Sequence, residues 1–161
     1  MQDHQHQGQE SNAHYTMFGI MLLLNFVAMY ALMYAMVDVF GNVYNSINQL
    51  YMAGLMTALM MVFEVLLMRG MYSNRRLNML IVAAGIVAGA LFFFGIRMQT
   101  AIGDEQFLRS MIPHHAGAVL MCGEATLADP EIKALCEGII AGQQAEIDWM
   151  RTKLEALQAG Q

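Results

Sequence analysis

Residues 77–96 read LNMLIVAAGIVAGALFFFGI, twenty consecutive residues without a charged side chain. An α-helix rises 1.5 Å per residue, so this stretch is long enough to cross the ~30 Å hydrocarbon core of a bilayer. Two upstream stretches repeat the signal. Residues 17–37 are 21 residues with no charge, and residues 50–68 are 19 residues with one, Glu64. Short polar links, 38–49 and 69–76, separate the three stretches. The pattern predicts an all-α protein whose residues 16–97 form a three-helix transmembrane domain.

The composition agrees with this. The chain is 57% hydrophobic, holds 17 Met, and has a mean hydropathy of +0.42. The net charge of −5 resides in the tail, where residues 98–161 carry nine acids against four bases, while residues 1–97 carry four of each. An acidic tail argues against nucleic acid as a partner and suits cations. Residues 1–15 are polar and rich in Gln and His, and are expected to be a disordered head. They lack the basic region of a cleavable signal peptide, so the first span is expected to act as an uncleaved signal. His4, His6 and His14 in this head form a short His-rich tract, a compositional pointer to loose metal binding.

Basic residues set the expected orientation. The second link holds Arg69, Arg75 and Arg76, and the first holds none. The second link is therefore expected to be cytoplasmic, with the N-terminus on the same side. The first link and the tail face outward, into the periplasm if the membrane is a bacterial inner membrane. Arg97 is a minor opposing signal.

The tail, residues 98–161, reads as an outward-facing helical hairpin. Asp104 and Glu105 place acids in the first turn of a helix running to about Leu127, which the helix dipole favours. Pro113 inside it predicts a kink or a restart. Asp129-Pro130-Glu131 is a helix start, with Asp129 as N-cap and Pro130 at the first position. Apolar residues then recur at helical spacing from Ile132 to Leu157, interrupted by Gln143 and edged by Glu146.

Within this hairpin stands Met111-Ile112-Pro113-His114-His115, two adjacent imidazoles with a thioether about one turn back. An antiparallel register brings Met111 level with Ile147, His114 with Gln144 and His115 with Gln143, leaving Glu146 and Met150 within about a turn. Met111, His114, His115, Gln143, Glu146 and Met150 all carry lone pairs and converge in this register. The alternative is that the Met side chains fill the core and one His is solvated. Imidazole together with thioether suits copper(I), and zinc is the lesser candidate. Di-iron bundles use Glu-x-x-His pairs, whereas this chain has Met-x-x-His. Ligation by imidazole predicts weaker binding as the pH falls through about 6.

The same register puts Cys122 level with Cys136. Three readings stand side by side: a disulfide formed in an oxidising compartment, a dithiol binding copper(I), with Met121 as a further donor, or two inert buried thiols. In the spans, Met29, Met33 and Met36 form one stripe and Met52, Met56 and Met60 another. They read as apolar filler, or as a relay for copper(I). Gly85-x-x-x-Gly89 reads as a helix-packing motif. Glu64 lies near the Arg69 end of its span, where it snorkels or pairs. No nucleophile motif or phosphate-binding loop is present, and the chain is not expected to be an enzyme.

The string Phe107-Leu108-Arg109-Ser110-Met111-Ile112-Pro113-His114-His115-Ala116-Gly117-Ala118 resembles the opening of the domain of unknown function 305 family. The run from Ala128-Asp129-Pro130-Glu131 through Gln143-Gln144-Ala145-Glu146-Ile147-Asp148-Trp149-Met150 is similar to its second half. The resemblance covers about fifty residues. It implies a ferritin-like helical fold and copper binding of the kind found in periplasmic copper-tolerance proteins, through Met111, His114, His115, Met121 and Met150, with Glu146 nearby. A membrane-anchored subgroup resembles the whole chain, including the link Met71-Tyr72-Ser73-Asn74-Arg75-Arg76. The chain departs from the family at Ala116-Gly117, where a polar or larger residue often stands, and at its two cysteines.

The expected function is copper(I) sequestration or handover at the periplasmic face, in copper homeostasis or tolerance. The expected partners are the metal ion, membrane lipid, a periplasmic copper carrier and further copies of the chain, since a lone hairpin buries its stripe poorly and two would make a four-helix bundle. The rival readings are a copper transporter using the Met-lined spans, a metal-free structural membrane adaptor, and an iron-storage or oxidase protein, for which the carboxylates are too few.

Overall fold

The computed structural model describes residues 2–160, with side chains from Ala13 onward. Among the described residues every regular element is helical. The order is α1 (Gln2–Leu32), two 3-10 turns (Met33–Met36 and Phe40–Asn42), α2 (Ile47–Leu67), α3 (Arg75–Arg97), α4 (Asp104–Glu124) and α5 (Pro130–Ala159). Three segments, Ala13–Met36, Ile47–Leu67 and Arg75–Arg97, are long and apolar enough to cross a membrane. Of the His-rich head, the side chains of His4 and His6 lie outside the described ones, and His14 is exposed. Ala13 to Tyr15, counted with the head on sequence grounds, are helical and belong to α1.

The chain forms two compact units. The first comprises Met1–Ala31 and Leu50–Thr100. Its large apolar side chains mostly point away from the protein, among them Leu24, Leu80 and Leu91. In water such a surface would be costly, and in lipid it is the ordinary one. Contact between α2 and α3 relies on small residues. A Cβ added at Gly85 would fall 2.7 Å from Val62 Cγ2, and one at Gly89 would fall 3.7 Å from Ala58 Cβ. Gly85-x-x-x-Gly89 is therefore a packing motif, as its spacing suggests. At the end of this unit that carries the 69–76 link, Phe18, Val65 and Tyr72 are buried together. The Tyr15 hydroxyl donates to Asn78 Oδ1 (2.7 Å), and the Tyr72 hydroxyl donates to Glu64 Oε1 (3.0 Å). Glu64 is thus paired within its own unit.

The second unit comprises Leu32–Gln49 and Ala101–Gln161. Its core is the α4–α5 hairpin, where Leu108, Ile112 and Ala116 of α4 bury against Ile147, Met150 and Leu154 of α5. Ile112 and Ile147 are fully buried. The helix starts follow local chemistry. Asp129 caps α5, its Oδ1 accepting from Glu131 N at 2.8 Å and Ile132 N at 3.2 Å, and Pro130 follows at the first turn. Pro113 lies inside α4 without interrupting it, so the restart is not observed. Helix α4 ends at Glu124, three residues short of the expected Leu127.

The first link departs most from the sequence reading. It is not a plain connector within a membrane domain, because it packs with the hairpin. Val37 and Tyr44 lie against the hairpin core, and the Met36 carbonyl approaches Gly117. Gln106 Oε1 accepts from Ile47 N at 2.9 Å, satisfying the first N–H of α2. The hairpin stripe is therefore partly covered within one chain.

Candidate metal centre

His115 owes its position to helical periodicity. Ile112 and Ala116 face the core, so residue 115 falls at the edge of the buried stripe and reaches toward α5. Its side chain is only 14% exposed, and Nδ1 lies 3.3 Å from Glu146 Oε2. Burial is the main influence on this imidazole. It holds the pKa below the ordinary histidine value, and the positive charge that His114 can carry adds to the effect, while the Glu146 carboxylate opposes it. The ring is therefore neutral at neutral pH. Nδ1 is buried, and no hydrogen bond of good geometry reaches it. One turn before Glu146, Gln143 Oε1 is also buried and without a hydrogen-bond partner. Unpaired buried polar atoms are costly and uncommon in folded proteins. The two atoms, a ring nitrogen and an amide oxygen, each carry a lone pair of the kind a cation accepts.

The other expected donors are distributed differently. His114 is exposed, its ring centroid 6.0 Å from that of His115. Met111 is half-buried and packs against the hairpin core, and Met150 is buried within it. Both thioethers act as core filler here, the alternative that the sequence left open. Met121 is exposed, nearly two turns beyond the His pair. Among the described residues, no three of His, Cys, Asp and Glu come together as a metal-holding group. The structure thus unites His115 with Glu146 and leaves His114 and Met121 at the surface.

The cysteines are joined. Cys122 and Cys136 form a disulfide with Cα atoms 5.2 Å apart, near the hairpin turn. This excludes the free dithiol in the oxidised chain. Toward the open end, Gln158 Nε2 donates to Glu105 Oε1 at 3.2 Å, and Arg109 pairs with the same carboxylate at 2.7 Å. These contacts hold the Glu105 carboxyl below its usual range, Gln158 first and Arg109 second. The two helices are thereby tied on either side of His115.

Sequence reasoning missed the polar lining beneath the first link. Asn42 is buried, its Nδ2 donating to Asp38 Oδ1 at 2.6 Å while its Oδ1 has no partner. Arg151 of α5 extends to Gly41, where an added Cβ would fall 3.0 Å from Nη2. The turn-forming string Asp38-Val39-Phe40-Gly41-Asn42 was the available signal, but nothing in it specified the hairpin as its partner.

Residues 53–154 match the domain of unknown function DUF305. The chain belongs to this family. The match begins inside α2, so it takes in the second and third apolar helices as well as the hairpin that carries the quoted motifs. An uncharacterized protein of Acanthamoeba polyphaga mimivirus is 32% identical over 143 residues, covering 87% of this DUF305 chain and 92% of the relative. The likeness to that viral protein therefore runs through all three apolar helices. No solved structure matches the chain.

Proposed function

We propose that this DUF305 chain is a membrane-anchored copper(I)-binding protein that sequesters or hands over the ion on the outward face of a bacterial inner membrane. The observation that carries the reading is His115, a neutral imidazole whose buried Nδ1 lies 3.3 Å from Glu146 Oε2 without a hydrogen bond of good geometry. A neutral imidazole is the form that coordinates. His114 on the same turn supplies a second ring on rotation of its exposed side chain. Copper is cargo in this reading, and no covalent catalysis is assigned to the chain.

The three-span orientation gains support from which segments share a unit. The first link and the tail form one unit, as two segments on the same aqueous side do. Tyr15, at the start of the first apolar segment, bonds to Asn78 at the start of the third, as helix ends on the opposite side do. The basic 69–76 link assigns that opposite side to the cytoplasm.

The test is a copper(I) competition titration of the full-length protein against a chromophoric chelator. The proposal expects stoichiometric binding that His114→Ala/His115→Ala abolishes. Equal binding by both proteins overturns it. One observation favours a second reading, a metal-free structural adaptor: Glu146 already leans on His115. Protein purified gently with stoichiometric metal would sink that reading. The transporter reading loses ground because Met52, Met56 and Met60 are all exposed on the outer surface of α2.

A further inference from the structure

We propose that the cleft between α2 and α3 at the 69–76 link is a binding site for an anionic phospholipid. The inference rests on the three-span reading above and is independent of copper.

The cleft has a volume of about 370 Å³. Val65, Met79, Val82 and Ile86 form its apolar wall, and Arg69 and Arg75 border it at one end. The division follows from the chain path. Arg69 lies just beyond the end of α2 and Arg75 opens α3, so both guanidiniums sit at the link, while the apolar residues lie inside the spans. The cleft is therefore polar at the membrane boundary and apolar in the direction of the hydrocarbon, as an amphiphile is.

Its charge is uncompensated. Both arginines are exposed, and among the described residues neither forms an ion pair with a carboxylate. Glu64, one turn before the end of α2, is engaged by the Tyr72 hydroxyl at 3.0 Å. A guanidinium presents a planar fork of donors that fits phosphate oxygens, and it is bound more strongly where few waters compete. The apolar wall is also left uncovered by the chain, with Met79 59% and Ile86 60% exposed. A zwitterionic lipid already offsets its phosphate with its own ammonium and gains less from the arginines, and free phosphate makes no use of the wall. An anionic phospholipid uses both, and basic pockets between spans on the cytoplasmic side recognise such headgroups.

Native mass spectrometry of the full-length chain released from micelles tests this, with phosphatidylglycerol and phosphatidylcholine supplied at equal mole fraction and inorganic phosphate supplied alone. Retention of phosphatidylglycerol should exceed that of phosphatidylcholine by about thirtyfold, the effect of two arginines near a headgroup. Arg69→Gln/Arg75→Gln should erase the preference, and Arg69→Lys/Arg75→Lys should keep most of it. Ala83→Phe, which fills the cleft, should lose the adduct with both arginines intact. His114→Ala/His115→Ala should leave lipid retention unchanged, so a failure of the copper reading is visible separately. Equal retention of the two lipids overturns the proposal. So does retention of inorganic phosphate, supplied alone, that matches retention of phosphatidylglycerol, which would mark a simple anion site. A dimer mass without lipid, which would give the cleft to a second copy of the chain, also overturns it.

Discussion

His115 and Glu146 meet across the hairpin, imidazole Nδ1 to carboxylate oxygen at 3.3 Å, and the contact at neutral pH is one between a neutral ring and a carboxylate. Burial outweighs the attraction of the carboxylate for a proton. Since the folded pKa lies below the unfolded one, the unfolded chain binds this proton more readily. Stability is unaffected above the ordinary histidine value of about 6.5 and declines as the pH falls through it, until the folded ring is protonated as well. Thermal unfolding between pH 8 and pH 5 should show this decline, and His115→Gln should flatten it. An unchanged pH profile in the variant would remove His115 as its source.

Cys122 and Cys136 close a short loop, being separated by 14 positions. A loop of this size restricts the unfolded chain by about 3 kcal/mol. Reduction, or Cys122→Ala/Cys136→Ala, should therefore raise amide exchange at the hairpin turn and lower the hairpin's melting temperature. Equal exchange in oxidised and reduced protein would show that the disulfide contributes little.

Ile147 is fully buried between α4 and α5, with Ile112 on the opposing face. Ile147→Ala should destabilise the hairpin unit by about 2–5 kcal/mol, the range for truncating a buried aliphatic side chain. Because Val37 and Tyr44 pack on the same core, limited proteolysis should reach the first link as well as the hairpin. Cleavage confined to the hairpin would show that the link is held independently.

Ala101 adopts φ 58°, in the left-handed region, on the way from α3 to α4. An L-residue with a Cβ is strained there by about 1–2 kcal/mol, and glycine relieves that strain while adding freedom to the unfolded chain. Ala101→Gly should stabilise by about 0.5–1 kcal/mol, read from chemical denaturation in micelles, and Ala101→Val should destabilise. Destabilisation by glycine would contradict the strained backbone.

Much of the helical framework was legible from local pattern. Uncharged runs of sufficient length marked α2 and α3, and Asp129-Pro130-Glu131 marked the start of α5, because capping and periodicity are properties of neighbouring residues. The hairpin register was also legible near its turn, where Cys122 stands opposite Cys136. Further along, His115 contacts Glu146, which the register placed within about a turn of it, and Glu105 reaches Gln158, five positions past the residue expected level with it. A register counted from a turn accumulates the small offsets of two real helices, and their actual crossing absorbs them.

The site was legible as residues and not as an assembly. A helical wheel names Met111, His115 and Met150 as near the inner face, but it does not say which side chains the core will take. The core took Met150 and packed Met111 against it, left His114 and Met121 in solvent, and placed the neutral His115 against Glu146. The role of the first link was illegible, since its contacts with the hairpin join residues about sixty or more positions apart.

The sequence by itself determined the three apolar helices, the acidic hairpin, its caps and the pairing level of the cysteines, because length, charge and 3.6-residue periodicity act over short distances along the chain. The tertiary structure alone decided that residues 32–49 cover the hairpin, that the Nδ1 of His115 is buried against Glu146, and that two arginines flank an apolar cleft. Burial and the environment of a charge depend on which distant segments displace water from a side chain, and no local pattern encodes that.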